Sequence, residues 1–114
     1  MQSPWRLVSG GVTAPQGFAA SGIAAGLKPS GKPDLALLLA PEAAACAGAF
    51  TTSVVRAACV DLCHERLVST GGRARTVLIN AGQANACTGD RGLIDSQRAT
   101  QALADQLGLD SEAV

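Results

Sequence analysis

The sequence predicts an α/β domain, a mixed sheet with about two helices, and three observations predict it. Short apolar runs bounded by Pro and Gly, at 18–25, 34–40 and 75–80, have the length and composition of strands. Two longer stretches, 59–69 and about 92–107, carry apolar residues at helical spacing with charged residues between them. Glycines stand where both helices should stop, Gly71-Gly72 after the first and Gly108 after the second.

Residues 1–10 show no periodic pattern, and Gly10 to Phe18 is rich in Gly and Pro, with Pro15 biasing Ala14 towards extended backbone. The first strand, 18–25, alternates loosely and holds small residues that would let another layer approach closely. Two prolines and a glycine make 28–33 a turn. The run from Asp34 to Ala40 then reads as a strand buried on both faces and closed by Pro41. Ala45 to Phe50 is again apolar and small, which predicts a third strand antiparallel to the second.

The first helix, 59–69, would bury Val60, Cys63 and Leu67. Val77, Leu78 and Ile79 have high strand propensity, so 75–80 returns to the sheet. In the second helix Ala99, Ala102, Leu103 and Leu107 form the apolar stripe, with Thr88 or Asp90 as N-cap. Ala113-Val114 reads as the first step of a further strand.

A length of 114 residues fits one domain, and no internal repeat or second domain is evident. The chain is 47% hydrophobic, but only 3% aromatic and rich in Ala, so it has little large apolar surface to bury. Partner surface is expected to complete the core, and the isolated chain is expected to be poorly stable. A net charge of +0 and the lack of a basic stripe argue against nucleic acid. Arg73, Arg75, Arg91 and Arg98 read as solvated surface. No run approaches the roughly 18 apolar residues of a membrane span. The four cysteines, Cys46, Cys59, Cys63 and Cys87, read as buried thiols of a reduced, cytoplasmic chain, because no secretory leader pattern precedes them.

The most informative stretch is the turn from Asn80 to Gly89, where two asparagines, a threonine and two glycines lie between a strand and a helix. Loops on rigid scaffolds collect functional groups. This one has neither the Gly-Lys-Ser/Thr of a P-loop nor the spacing of a dinucleotide fingerprint. His64, the only histidine, has no serine or cysteine partner in a recognisable pattern, and Cys63-His64 lacks a second ligand pair for zinc. The Thr51-Thr52-Ser53 cluster suits a cap or turn, or one wall of a polar pocket.

Three stretches, in this order and spacing, resemble the N-terminal part of the ornithine acetyltransferase family, also called bifunctional glutamate N-acetyltransferases. They are Gly11 to Phe18, Ala49-Phe50-Thr51-Thr52-Ser53, and above all Asn80-Ala81-Gly82-Gln83-Ala84-Asn85-Ala86-Cys87-Thr88-Gly89. The resemblance spans almost the whole chain. Ala81 and Gln83 stand where the family loop usually has Ser and Asn, and Ser53 stands where Asn is common.

The resemblance implies an enzyme of arginine biosynthesis that moves acetyl from N-acetylornithine to glutamate, with acetyl-CoA a second donor in some members and no bound cofactor or metal. It implies self-cleavage before an internal threonine, an acetyl-threonine intermediate, and assembly of α and β chains as α2β2. The family's nucleophile and its oxyanion-stabilising Thr-Gly have no counterpart in this chain, so no catalytic residue is assigned here. The 114 residues read as a single partial domain, an N-terminal portion of the α chain, inactive alone. Asn80, Gly82, Asn85, Thr88 and Gly89 are expected to support the active site. Asn80, Asn85 and Thr88 would do so by side-chain to backbone hydrogen bonds. The rival readings are an N-terminal-nucleophile aminopeptidase-like hydrolase and a non-catalytic assembly module.

Overall fold

Local turn chemistry sets the first hairpin. In the computed structural model, which describes residues 1–114, the Gly31 N–H closes on the Lys28 carbonyl at 3.1 Å, with Gly31 at φ 67°. This turn joins β1 (Ala19–Ile23) to β2 (Leu35–Ala45). After it come α1 (Ala58–Ser69), β3 (Arg73–Asn80), α2 (Gly89–Leu107) and a 3-10 turn at Ser111–Ala113. The expected α/β composition with two helices is present. The sheet order is β1-β2-β3, and both pairings are antiparallel where a mixed sheet was expected.

Pro41 does not end the second strand. β2 continues to Ala45, and its register against β3 shifts between Leu39, opposite Thr76, and Ala44, opposite Ala74. The proline lies inside this irregularity, where a missing N–H costs no ladder bond. The chain therefore spends the apolar residues around Pro41 on one long strand, and the third strand expected at 45–50 does not form. Instead Phe50 lies over α1: its ring centre is 5.3 Å from that of His64 with the rings tilted by 57°, and a Cβ at Gly48 would strike both Phe50 and Leu67.

Residues opposite one another in a ladder share a face, so Leu35, Leu37 and Leu39 stand with Leu78 and Thr76, and Ala36 and Leu38 stand with Ile79 and Val77. Thr76 is 3% exposed and Leu78 is half-buried, whereas Val77 and Ile79 are 43% and 52% exposed. One face is covered and the other is open. For this reason β2 is half-buried over Leu35 to Leu39 instead of buried on both faces. β1, expected to accept a second layer, is exposed along its whole length.

The helices pack through small residues. Gly92 and Ala104 of α2 are buried, Ser96 and Thr100 between them are half-buried, and Leu62 of α1 is the one large buried side chain. The positions 92, 96, 100 and 104 form an i,i+4 ridge whose small side chains admit a neighbouring helix. That ridge replaces the expected stripe: Ala99, Ala102 and Leu107 are exposed and only Leu103 is half-buried. On α1 the expected Val60 and Leu67 are half-buried, but Cys63 is exposed and Leu62 takes the central place. Gly108 at φ 64° ends α2, with the Leu109 N–H bonded to the Ala104 carbonyl at 2.9 Å.

The C-terminal residues form no strand. The Asp110 side chain accepts the Glu112 N–H at 3.0 Å and caps the 3-10 turn, which Arg66 and Ser69 of α1 hold through the Val114 carbonyl and the Glu112 carboxylate. The buried apolar residues are Ala40, Leu62 and Ala104. A radius of gyration of 15.7 Å, against about 13 Å for a 100-residue domain, fits so thin a core.

Candidate functional site

The loop from Asn80 to Gly89 leaves the sheet, crosses the connection between β1 and β2, and ends at the start of both helices. β3 closes at Asn80, opposite Leu35. The next residue, Ala81, donates its N–H to the Asp34 carbonyl at 2.8 Å. Gly82 stands at φ 93°, and a Cβ added there would come within 2.6 Å of the Lys28 Cγ. Backbone angle and close approach both require glycine at this point.

Asp34 is the residue that makes this crossing possible, and it is absent from the residues the sequence singled out. Only 4% of it is exposed. Its carboxylate accepts the backbone N–H groups of Ala25 at 2.6 Å and Lys28 at 2.8 Å, while its own N–H bonds to the Ile23 carbonyl at 3.0 Å. The amides of Lys28 and Ala25 hold the Asp34 carboxyl below its ordinary value, because each bond favours the anion. The sequence signal was slight: one acidic residue between Pro33 and a run of leucines, where a charge has to find partners or stay out of the interior.

Beyond Gly82 the loop turns to the helices. The Asn85 carbonyl accepts the Thr88 hydroxyl at 2.7 Å and the Ala58 N–H at 3.4 Å. Its side-chain amide donates to the Ser96 hydroxyl at 2.9 Å, and Ser96 donates in turn to the Gly92 carbonyl at 2.8 Å. Ala57 and Ala86 form a single antiparallel bridge beside these contacts. The starts of α1 and α2 are thus joined through the loop. Thr88 occupies the N-cap position of α2 without capping it, since its hydroxyl is committed to Asn85, and Gly89 opens the helix at φ 58°. Gly92 faces Thr88 so closely that a Cβ there would overlap the hydroxyl.

Of the expected loop residues, Asn85 and Thr88 therefore join one network, and Gly82 and Gly89 supply its left-handed turns. Asn80 does not join. It is exposed and its side-chain amide makes no hydrogen bond, and the Asn85 side chain bonds a hydroxyl instead of backbone, so of the three side-chain to backbone ties expected only that of Thr88 is made. Cys87 also departs from expectation: it is exposed, at φ 56°. The thiols as a group are not buried, with Cys46 half-buried and Cys59, Cys63 and Cys87 exposed. Loss of hydration at its sulfur, with Cys59 nearby, still pushes the Cys63 thiol up, away from the thiolate form a nucleophile needs.

Thr51, Thr52 and Ser53 lie exposed in the segment leading to α1. The Thr51 hydroxyl accepts the Ser53 N–H, and Arg56 reaches back to the Ser53 carbonyl while pairing with Asp61. Arg75 is not free surface, since it donates to the Ala40 carbonyl. No three His, Cys, Asp or Glu side chains stand together to hold a metal ion. No helix is long and apolar enough to cross a membrane. A groove of about 290 Å³ lies away from the loop, between Glu65, Arg66, Ser69, Gln101 and Glu112. Leu62 is its one apolar wall, so it lacks the lining of a small-molecule pocket. The loop offers hydroxyls, amides and fixed backbone, with no nucleophile paired to a base.

A model of the ArgJ family matches residues 19–114, from the first residue of β1 onward. The chain belongs to the ArgJ family. Its relatives include the arginine biosynthesis bifunctional protein ArgJ of Parasynechococcus marenigrum, 85% identical over the whole chain, and that of Prochlorococcus marinus, 68% identical over the whole chain. The chain spans 28% and 27% of the length of these two relatives. Among solved structures, ornithine acetyltransferase of Mycobacterium tuberculosis in complex with ornithine is 42% identical with a TM-score of 0.84, over 91% of this chain and 56% of that one. The arginine biosynthesis bifunctional protein ArgJ of Bacillus halodurans is 32% identical with a TM-score of 0.86, over 92% of this chain and 54% of that one.

Proposed function

We propose that these residues are the N-terminal part of the α chain of a glutamate N-acetyltransferase of arginine biosynthesis. The complete enzyme takes acetyl from N-acetylornithine, holds it on a threonine as a covalent intermediate, and passes it to glutamate. Splitting one transfer into two through a nucleophile lowers each barrier. The observation that carries this reading is the 42% identity, along 91% of the chain, to an ornithine acetyltransferase that binds ornithine. The bifunctional naming of the cyanobacterial relatives supports it.

In this reading the nucleophile, the oxyanion donors and the substrate contacts come from the remainder of the α chain and from the β chain, assembled as α2β2. The Asn80 to Gly89 loop contributes rigid support. Asn85 and Thr88 spend their polar groups on the loop and on α2, which suits a wall of the site better than a group that reacts. The protein is a cytoplasmic enzyme that uses no bound cofactor.

The test is acetyl transfer by a complete polypeptide that carries this sequence. Formation of N-acetylglutamate and ornithine from N-acetylornithine and glutamate is the expected result, and amide hydrolysis without transfer would overturn the reading. Replacing N-acetylornithine by acetyl-CoA in the same assay decides whether the second donor is accepted. The purified 114-residue polypeptide is expected to be inactive, and transfer by it would overturn the placement of the nucleophile elsewhere.

A further inference from the structure

We infer that Asp34 is a positioning residue for the acetyl transfer, because it is the joint through which the β1–β2 loop holds the Asn80 to Gly89 loop in place. This rests on the function proposed above. Three strands of observation meet at the residue. Its carboxylate gathers the Ala25 and Lys28 amides, which fixes the path of the chain between β1 and the turn at Lys28. Its backbone bonds on both sides, N–H to the Ile23 carbonyl and carbonyl to the Ala81 N–H, so the same residue is clamped to β1 and to the first loop residue. The clamped segment then presents Lys28 to Gly82 so closely that only a hydrogen fits between them.

The chemistry explains why the residue has to be a carboxylate. Two N–H donors converge on it, and an ionised carboxylate offers only acceptors. An asparagine of the same shape keeps one acceptor oxygen and turns an NH2 group towards the other donor, leaving the N–H of Ala25 or of half-buried Lys28 without its acceptor. Released from Asp34, residues 25–28 no longer press on Gly82, and the loop beyond it gains freedom as far as Asn85, where the helix contacts take over. A loop that walls an active site transmits such freedom into misplacement of the reacting groups, and a shift of about 1 Å can lower turnover about 10²-fold.

The experiment uses the complete enzyme with Asp34→Asn and Asp34→Ala. Amide hydrogen exchange at Ala25, Lys28, Ala81 and residues 83–85 is read together with kcat and KM for N-acetylornithine. The expected result is exchange at least tenfold faster at Ala25, Lys28, Ala81 and in 83–85. Alongside it, kcat should fall at least tenfold, with KM changed less than threefold and the melting transition still cooperative. Gly82→Ala, which loads the same seam from the loop side without touching Asp34, is expected to lower kcat in the same way and decides the matter if Asp34 variants do not fold.

Faster exchange with unchanged kcat would make Asp34 a local anchor only and overturn the inference. Faster exchange confined to Ala25 and Lys28, with 81–85 unaffected, would overturn it too, since the link to the loop would be missing. A wild-type enzyme without acetyl transfer would sink the functional reading alone, with the exchange at 81–85 still deciding whether Asp34 holds the loop.

Discussion

On one side of β2 and β3 stand Leu35, Leu37, Leu39, Thr76 and Leu78; on the other stand Ala36, Leu38, Val77 and Ile79. The second set is as apolar as the first and contains the better strand formers, yet it is the side left open, with Val77 and Ile79 about half exposed and Thr76, a polar residue, at 3%. Hydropathy along a strand does not decide which face is covered. What packs over each face in the folded chain decides it. Here a ridge of Gly92, Ser96, Thr100 and Ala104 lets α2 lie close to α1. The polar hydroxyls on the covered side are satisfied locally: Thr76 donates to the Leu38 carbonyl at 2.8 Å, and Thr100 to the Ser96 carbonyl at 3.1 Å.

The contrast can be broken first at its strongest point. Leu62→Ala should destabilise the chain by about 2–3 kcal/mol, the lower part of the range for buried leucines, because so thin a core collapses around a cavity more readily than a thick one. Urea unfolding checks this, and a loss under about 0.5 kcal/mol would mean that Leu62 carries no more stability than an exposed position. Ala104→Leu attacks the same layer by overpacking. With Ala104 fully buried, a loss of about 1–2 kcal/mol is expected, read as a lower urea midpoint with an unchanged slope.

The open face should respond weakly. Val77→Thr and Ile79→Thr are each expected to change the stability of the 114-residue chain by no more than about 0.5 kcal/mol, as exposed positions do. The same substitutions in a complete ArgJ-family polypeptide sharpen the comparison, for a cost of about 1 kcal/mol or more there would show that further chain covers this face.

The smallest effect is one of pH. Asp34 in the folded chain has a carboxyl pKa below its unfolded value, so the stability it contributes is present above about pH 4 and is lost as the pH falls through the folded value. Asp34→Asn should flatten the acid side of the stability profile below about pH 4 relative to wild type. An identical acid slope in both proteins would remove Asp34 from the groups that set it.

Much of this fold was legible in the chain because its signals are local. Lys28 to Gly31 turns, Gly108 stops a helix, and Val77, Leu78 and Ile79 form a strand, each within a few residues of the feature that dictates it. The errors occur where a distant partner outvotes the local rule. Pro41 reads as a stop, but the β3 register bulges around it. Ala99, Ala102 and Leu107 read as a core stripe, but the neighbouring helix selects small residues a third of a turn away. Ala113-Val114 reads as a strand, but Asp110 caps a 3-10 turn that α1 holds in place.

The sequence by itself determined both helices, three strands, the family and the loop that distinguishes it, since turn chemistry, periodicity and a ten-residue signature are all written along the chain. Only the tertiary structure decided which sheet face is covered, that Asn80 stays out of the loop network, and that Asp34 joins Ala25, Lys28 and Ala81. The physical reason is that a buried carboxylate is tolerated only where donors converge on it, and the meeting of the Ala25 and Lys28 amides at the Asp34 carboxylate, with the Ala81 N–H on the Asp34 backbone carbonyl, is a property of the folded chain.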